Sequence, residues 1–131
     1  MFLKHNKWAL LWAMLIFILC MIPGHDLPKI SWLENFGFDK VVHAGLFFVL
    51  AVLLVHGFSE QQSFSSLRNS PKIIALLICI PYGGALELLQ GALFIERTAD
   101  VYDFIANSFG SLAGLLCFNA INEKILSKFI R

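Results

Sequence analysis

Nine polar side chains interrupt the apolar stretches of this 131-residue sequence, in three groups: Asp39, Lys40 and His43; Glu87 and Gln90; and Arg97, Asp100, Asp103 and Asn107. Each is expensive in hydrocarbon unless it is paired or watered, so together they mark a functional site or a set of helix contacts. Glu87 and Asp103 have the chemistry of an acid and base pair. His43 can relay protons near neutral pH. The guanidinium of Arg97 can grip a phosphate or carboxylate through two hydrogen bonds. If the chain is an enzyme, Glu87, Asp103 and His43 are its candidate catalytic residues. If it binds a ligand, all nine are candidate contacts.

Every one of these groups also has a purely architectural reading. Glu87 can pair with Arg97 and lock two helices together, Lys40 can anchor a helix end at the interface, and Gln90 and Asn107 can act as interhelical hydrogen-bonding glue. A lone His at a helix start is commonly a structural hydrogen bonder. Burial would raise the pKa of Glu87 and Arg97 would lower it, and the sequence does not decide between the two. No linear spacing commits these residues to a metal, and acids paired with Arg97 would not serve as ligands. No metal and no cofactor is therefore expected.

The spacing shows how helices would align these groups. Asp39 and His43 are four apart and share a helix face, as do Glu87 and Gln90 at three apart. Asp100, Asp103 and Asn107 form one stripe at intervals of three and four. Glu87 stands fifteen residues beyond Lys72, which at 1.5 Å per residue places it about 22 Å across a core of about 30 Å. Asn107, counted inward from Asp100, falls about 10 Å below the other surface. The two depths agree, so the polar faces should meet in one half of the membrane.

The elements that must position them are membrane helices. The chain is 58% hydrophobic and only 15% charged, outside the balance of a soluble domain. Four apolar segments, at about 8–22, 41–58, 72–94 and 101–121, approach or reach the roughly 17 to 25 residues of a membrane helix. Backbone groups in lipid must be paired within the segment, so the expected fold is an all-α integral membrane protein, a compact bundle of four transmembrane helices in a single domain over 1–131. Gly110 and Gly114 offer a small-xxx-small face for close helix packing. Pro81, followed by Gly83 and Gly84, should bend the third span before Glu87.

The net charge of +1 and the scattering of the ten Lys and Arg give no case for nucleic acid. Counted by segment, the N-terminus, the middle connection and the C-terminus hold seven of those basic residues and the other two connections hold three. Positive residues favour the cytoplasm, so both termini should lie inside and the polar groups should open outward. The first connection, 24–38, mixes aromatic and charged residues and should lie along the outer interface. The middle one, 59–70, reads as a flexible Ser- and Gln-rich link. Lys4 and Lys7 before an apolar run resemble a signal peptide, but no small-x-small cleavage site follows and Leu19 precedes Cys20, so an uncleaved first span is expected. Cys20, Cys79 and Cys117 read as small buried apolar residues.

The ordered set Asp39-Lys40-Val41-Val42-His43, Glu87-Leu88-Leu89-Gln90, then Arg97, Asp100, Asp103, Asn107, Gly110 and Gly114 resembles the VanZ-like membrane protein family, over about Asp39 to Leu116. One departure is Ala44, where an aromatic residue is expected after the histidine. The resemblance implies a small multi-pass protein of the bacterial cytoplasmic (inner) membrane. The family is named for a member associated with low-level resistance to the glycopeptide teicoplanin, and supplies no established reaction. The expected function is binding of an anionic lipid, a lipid-linked cell-wall precursor or an amphiphilic antibiotic in an outward polar pocket. The alternative is an intramembrane hydrolase or transferase acting on a lipid-linked substrate. A transporter is disfavoured because no comparable polar residues line the inner half. The expected partners are membrane lipids and such a precursor or glycopeptide, and the sequence does not fix the oligomeric state.

Overall fold

A computed structural model describes residues 2–20, 38–93, 101–126 and 128. The helices among them are α1 (Phe2–Cys20), α2 (Phe38–Glu60), a short α3 (Ser65–Asn69), α4 (Pro71–Leu93) and α5 (Val101–Ile121), which runs on into a π-helical turn at Asn122–Leu126. All but α3 are long and apolar enough to cross a membrane. The chain is an all-α, multi-pass membrane protein whose four long helices form a compact bundle.

The bounds of α2, α4 and α5 fall close to the expected spans. By contrast, α1 begins at Phe2 and not at Trp8. The polar residues before Trp8 are tolerated because Asn6 turns inward, donating to the Phe2 carbonyl at 3.0 Å, while Lys4 and Lys7 stay exposed. Pro81 lies inside α4 without ending it. The connection after α2 is more organised than a flexible link. Gln61 is fully buried, its amide donating to the carbonyls of Phe58 and Phe64 at 3.1 and 2.7 Å and accepting from the Phe64 amide at 2.8 Å. Phe64 in turn sets its ring edge-on against Phe2. The first connection lies outside the described residues. Cys20 and Cys79 are buried as expected, but Cys117 is exposed on the outer face of α5.

Cross-helix contacts give the directions. Trp12 on α1 donates to the Leu46 carbonyl of α2 at 2.9 Å, and Phe2 stacks on Phe58, so these two helices are antiparallel. The Tyr82 hydroxyl donates to the Ala13 carbonyl at 2.6 Å and the Gln90 amide to the Cys20 carbonyl at 2.8 Å, so α1 and α4 run the same way. The α2 and α5 helices are also parallel. One end of the bundle therefore gathers the C-terminal parts of α1 and α4 and the N-terminal parts of α2 and α5.

Lipid offers no hydrophobic drive for helices to associate, so close packing and polar ties must do it. Gly110 and Gly114 supply the packing: a Cβ at Gly110 would strike the carbonyl oxygen of Ala44, and one at Gly114 would come within 2.7 Å of the Phe48 carbonyl oxygen. Without side chains there, the backbones of α2 and α5 touch. Outward, α5 presents Ile105, Phe109, Leu112 and Leu116.

Gly110→Ala should therefore destabilise the bundle by roughly 1 to 3 kcal/mol, as forced overpacking does. Gly45→Ala, on the same pair of helices but with nothing within 4 Å of its added carbon, should leave stability unchanged or slightly raised. Thermal unfolding of both variants in one detergent checks this, and equal melting temperatures would remove the close-approach argument.

Candidate functional site

Three helices carry polar side chains into the shared end of the bundle. On α5, Asp103 lies in the first turn and Asn107 one turn later; both are buried and share a face with Gly110, Ser111 and Gly114. Up to Gly114 this helix is polar and small inside and apolar outside, the reverse of a soluble amphipathic helix, and beyond it Leu115 and Phe118 turn inward. Because α2 runs parallel to α5 at backbone contact, Lys40 and His43 come level with Asp103 and Asn107. The antiparallel α4 brings Glu87 to the same level.

The Lys40 ammonium donates to Oδ1 of Asp103. Its side chain remains about one-third exposed while that of Asp103 is mostly covered, so the lysine reaches from the bundle's edge to a shielded acid. His43 Nε2 stands 3.7 Å from Oδ2 of the same carboxylate. On the ring's other side, His43 Nδ1 is 3.0 Å from Oδ1 of Asn107. The imidazole thus bridges Asn107 and Asp103, and its tautomer sets which nitrogen donates. One oxygen of Glu87, one of Asp103 and one nitrogen of His43 all lie within 4.8 Å of one another. Glu87 is only 5% exposed, so any charge on it is compensated inside the protein.

The α4 backbone also approaches closely here. A Cβ at Gly83 would come within 3.2 Å of Asn107 Nδ2 and 3.4 Å of the Phe47 ring. Asn107 is further fixed through its backbone carbonyl, which accepts from Ser111 Oγ at 2.9 Å. Two hollows on the described surface, one over 63–67 and one between Leu10, Met14, Phe17 and Tyr82, lie away from this cluster.

Chemically, the arrangement can hold a proton or a cation between His43 and the two carboxylates, offer an ammonium to an anion at its edge, and keep both acids shielded from lipid. His43, Glu87 and Asp103 are the described residues placed to hold a metal. Their linear spacing gave no hint of this, because each comes from a different helix.

Of the residues singled out in the sequence, Lys40, His43, Glu87, Asp103 and Asn107 come together. Gln90 commits its amide to the Cys20 carbonyl and so satisfies one of the carbonyls that the end of α1 leaves open. Arg97 and Asp100 lie outside the described residues, and so does the side chain of Asp39. The expected Glu87 to Arg97 pair falls there too. The Lys40 to Asp103 pair was not foreseen. It joins residues 63 positions apart, and only the parallel register of α2 and α5 creates it.

A family model described as VanZ/LLP1 matches residues 2–122. No match was found among curated proteins or solved structures. The matched region takes in all four long helices and every described residue of the polar cluster, and on that match the chain belongs to the VanZ-like (VanZ/LLP1) family.

Proposed function

We propose that the protein binds an anionic lipid headgroup, that of a membrane lipid or a lipid-linked cell-wall precursor, at the polar end of the bundle, and thereby contributes to glycopeptide tolerance. The observation that carries this reading is the convergence of Lys40, His43, Glu87, Asp103 and Asn107 from three helices at one end of an otherwise apolar bundle. A structural pair would need only two of them. Lys40, reaching in from the edge, offers a cationic donor to a headgroup, and the sequence places Arg97 on the nearby connection between α4 and α5. The exposed apolar face of α5 suits the acyl chains of the same molecule. A second reading, an intramembrane hydrolase or transferase, draws on the closeness of Glu87 and Asp103, which suits an acid and base pair. Turnover of a lipid-linked substrate by purified protein separates the two.

The orientation belongs to the same proposal. The seven-to-three distribution of basic residues puts the termini in the cytoplasm and the polar end outside. A single cysteine at Thr98, in a chain lacking Cys20, Cys79 and Cys117, should react with an impermeant thiol reagent applied to intact cells. Labelling only after the cytoplasmic face is opened would reverse the topology.

Glu87→Gln preserves shape while removing charge and acidity, and should impair function without loss of protein. A neutral amide escapes the desolvation cost of a carboxylate but also leaves the group that compensated it, so melting temperature is read beside function. Arg97→Lys should also impair function, because it keeps the charge and loses the planar two-bond grip. Glycopeptide susceptibility and binding to phosphatidylglycerol nanodiscs, measured beside membrane abundance and melting temperature, test this. If both variants function normally, or lose function only in proportion to lost protein, the residues are helix glue.

A further inference from the structure

We propose that His43 Nε2 and one carboxylate oxygen each from Glu87 and Asp103 form a three-ligand site for a divalent transition metal of the zinc class, with a remaining position open to an anion. The three donors come from α2, α4 and α5 and lie within 4.8 Å of one another, two of the three residues being buried. Donors around a tetrahedral zinc ion stand about 3.3 to 3.6 Å apart, given bonds of about 2.0 to 2.2 Å. The 3.7 Å between His43 and Asp103 is already close to that value. Glu87 supplies the third donor within 4.8 Å of both.

The hydrogen bonding around the cluster points the same way. With the proton on Nδ1, Asn107 accepts it, which fixes the ring with the Nε2 lone pair toward the acids. A ligating histidine is usually held in this manner through its other nitrogen. In that tautomer the Nε2 lone pair and Asp103 Oδ2, 3.7 Å apart, can share a cation. The imidazole among the donors selects zinc-class metals over magnesium and calcium, which favour oxygen alone.

Asp103 can serve both partners, since Lys40 occupies Oδ1 and leaves Oδ2 toward the metal. A divalent ion held by the two carboxylates and the imidazole adds positive charge at this point, and a phosphate oxygen at the open position would then be attracted. The metal site stands on the donor set, while the anion at its open position rests on the headgroup reading proposed above.

The test uses the whole chain purified in detergent and stripped with a chelator, titrated with Zn2+ by calorimetry and with Co2+ by visible absorption. One ion per chain is expected, with the d–d absorption of nitrogen and oxygen ligation for Co2+. His43→Gln, Glu87→Gln and Asp103→Asn should each weaken binding at least tenfold, and Asn107→Leu about 10- to 100-fold without removing a donor. Lys40→Met, which frees Asp103 from its ammonium, should tighten binding, an effect that a scaffolding ion pair has no means of producing. A chain with Cys20, Cys79 and Cys117 changed to Ala and His56 to Asn should bind as the parent does. Absence of binding, or binding that the three ligand variants leave intact while the bundle keeps its helicity, overturns the site, as does weaker binding by Lys40→Met. Phosphatidylglycerol nanodiscs with and without Zn2+ separate the two proposals. Metal binding without any gain in lipid affinity keeps the metal site and removes the anion, whereas lipid binding by a chain that takes no metal does the reverse.

Discussion

The backbone contact between α2 and α5 is the constraint on which the rest depends. Gly110 against Ala44 and Gly114 against Phe48 leave no room for even one methyl group. With the helices parallel and in this register, His43 meets Asn107 within a turn of that contact, and Lys40 meets Asp103 two turns of α5 before Gly110. A wider spacing would carry the ammonium out of reach of the carboxylate and leave Asp103 shielded from water without that partner. Packing of small residues in the middle of the bundle thus sets the electrostatics at its end.

The other helices are attached by different means. Along its length α1 exposes large apolar side chains and buries few residues, so it relies on Trp12, Tyr82 and Gln90, each donating across a helix boundary to a backbone carbonyl. Such bonds are directional where apolar contacts with lipid-like neighbours are not, and they fix the rotation and depth of α1 against α2 and α4. The far end is closed in a similar way, with Gln61 satisfying backbone groups of the turn and Phe2 packing between Phe58 and Phe64. Polar atoms are therefore used throughout to specify geometry, while the buried carboxylates, Glu87 and Asp103, lie together at one end.

Much of this was legible in the sequence. Hydropathy and length gave the membrane helices, and the four-residue spacing of Asp103 and Asn107 gave the polar face of α5, whereas Asp39 and Asp100, the other members of the expected stripes, lie outside what is described. Equal depth brought Glu87 to their level. The Gly110 and Gly114 face was readable as packing because its spacing is local. Three features were not readable, and each depends on which helix neighbours which. Lys40 looked like an interfacial anchor because its partner is on another helix, and Gln90 was indistinguishable from a ligand contact until the end of α1 lay beside it. The donor set of His43, Glu87 and Asp103 has no linear pattern, since three separate helices supply it. The start of α1 was misread for another reason: hydropathy penalises Lys4, Asn6 and Lys7, whereas the helix buries the asparagine and leaves the lysines exposed.

The helix termini decide which charges in the cluster support themselves. Asp103, in the first turn of α5, gains from the positive end of that helix's dipole, so an anion is favoured there before any partner is counted. Lys40 is the third residue of α2, at the same positive end, where a cation is disfavoured. It is held there by Asp103 and not by its own helix. Glu87 is six residues short of the end of α4, too far for either terminus to matter, since the dipole's influence fades within a turn. Its charge must be balanced by a neighbouring group or by something bound. Asp103 is thus the anchor that draws Lys40 to the site, and Glu87 and His43 are the two members whose electrostatics their own helices leave incomplete. A site assembled this way favours a cation at the point where Glu87, His43 and Asp103 meet, and that point is enclosed by the helices whose close approach began with two glycines.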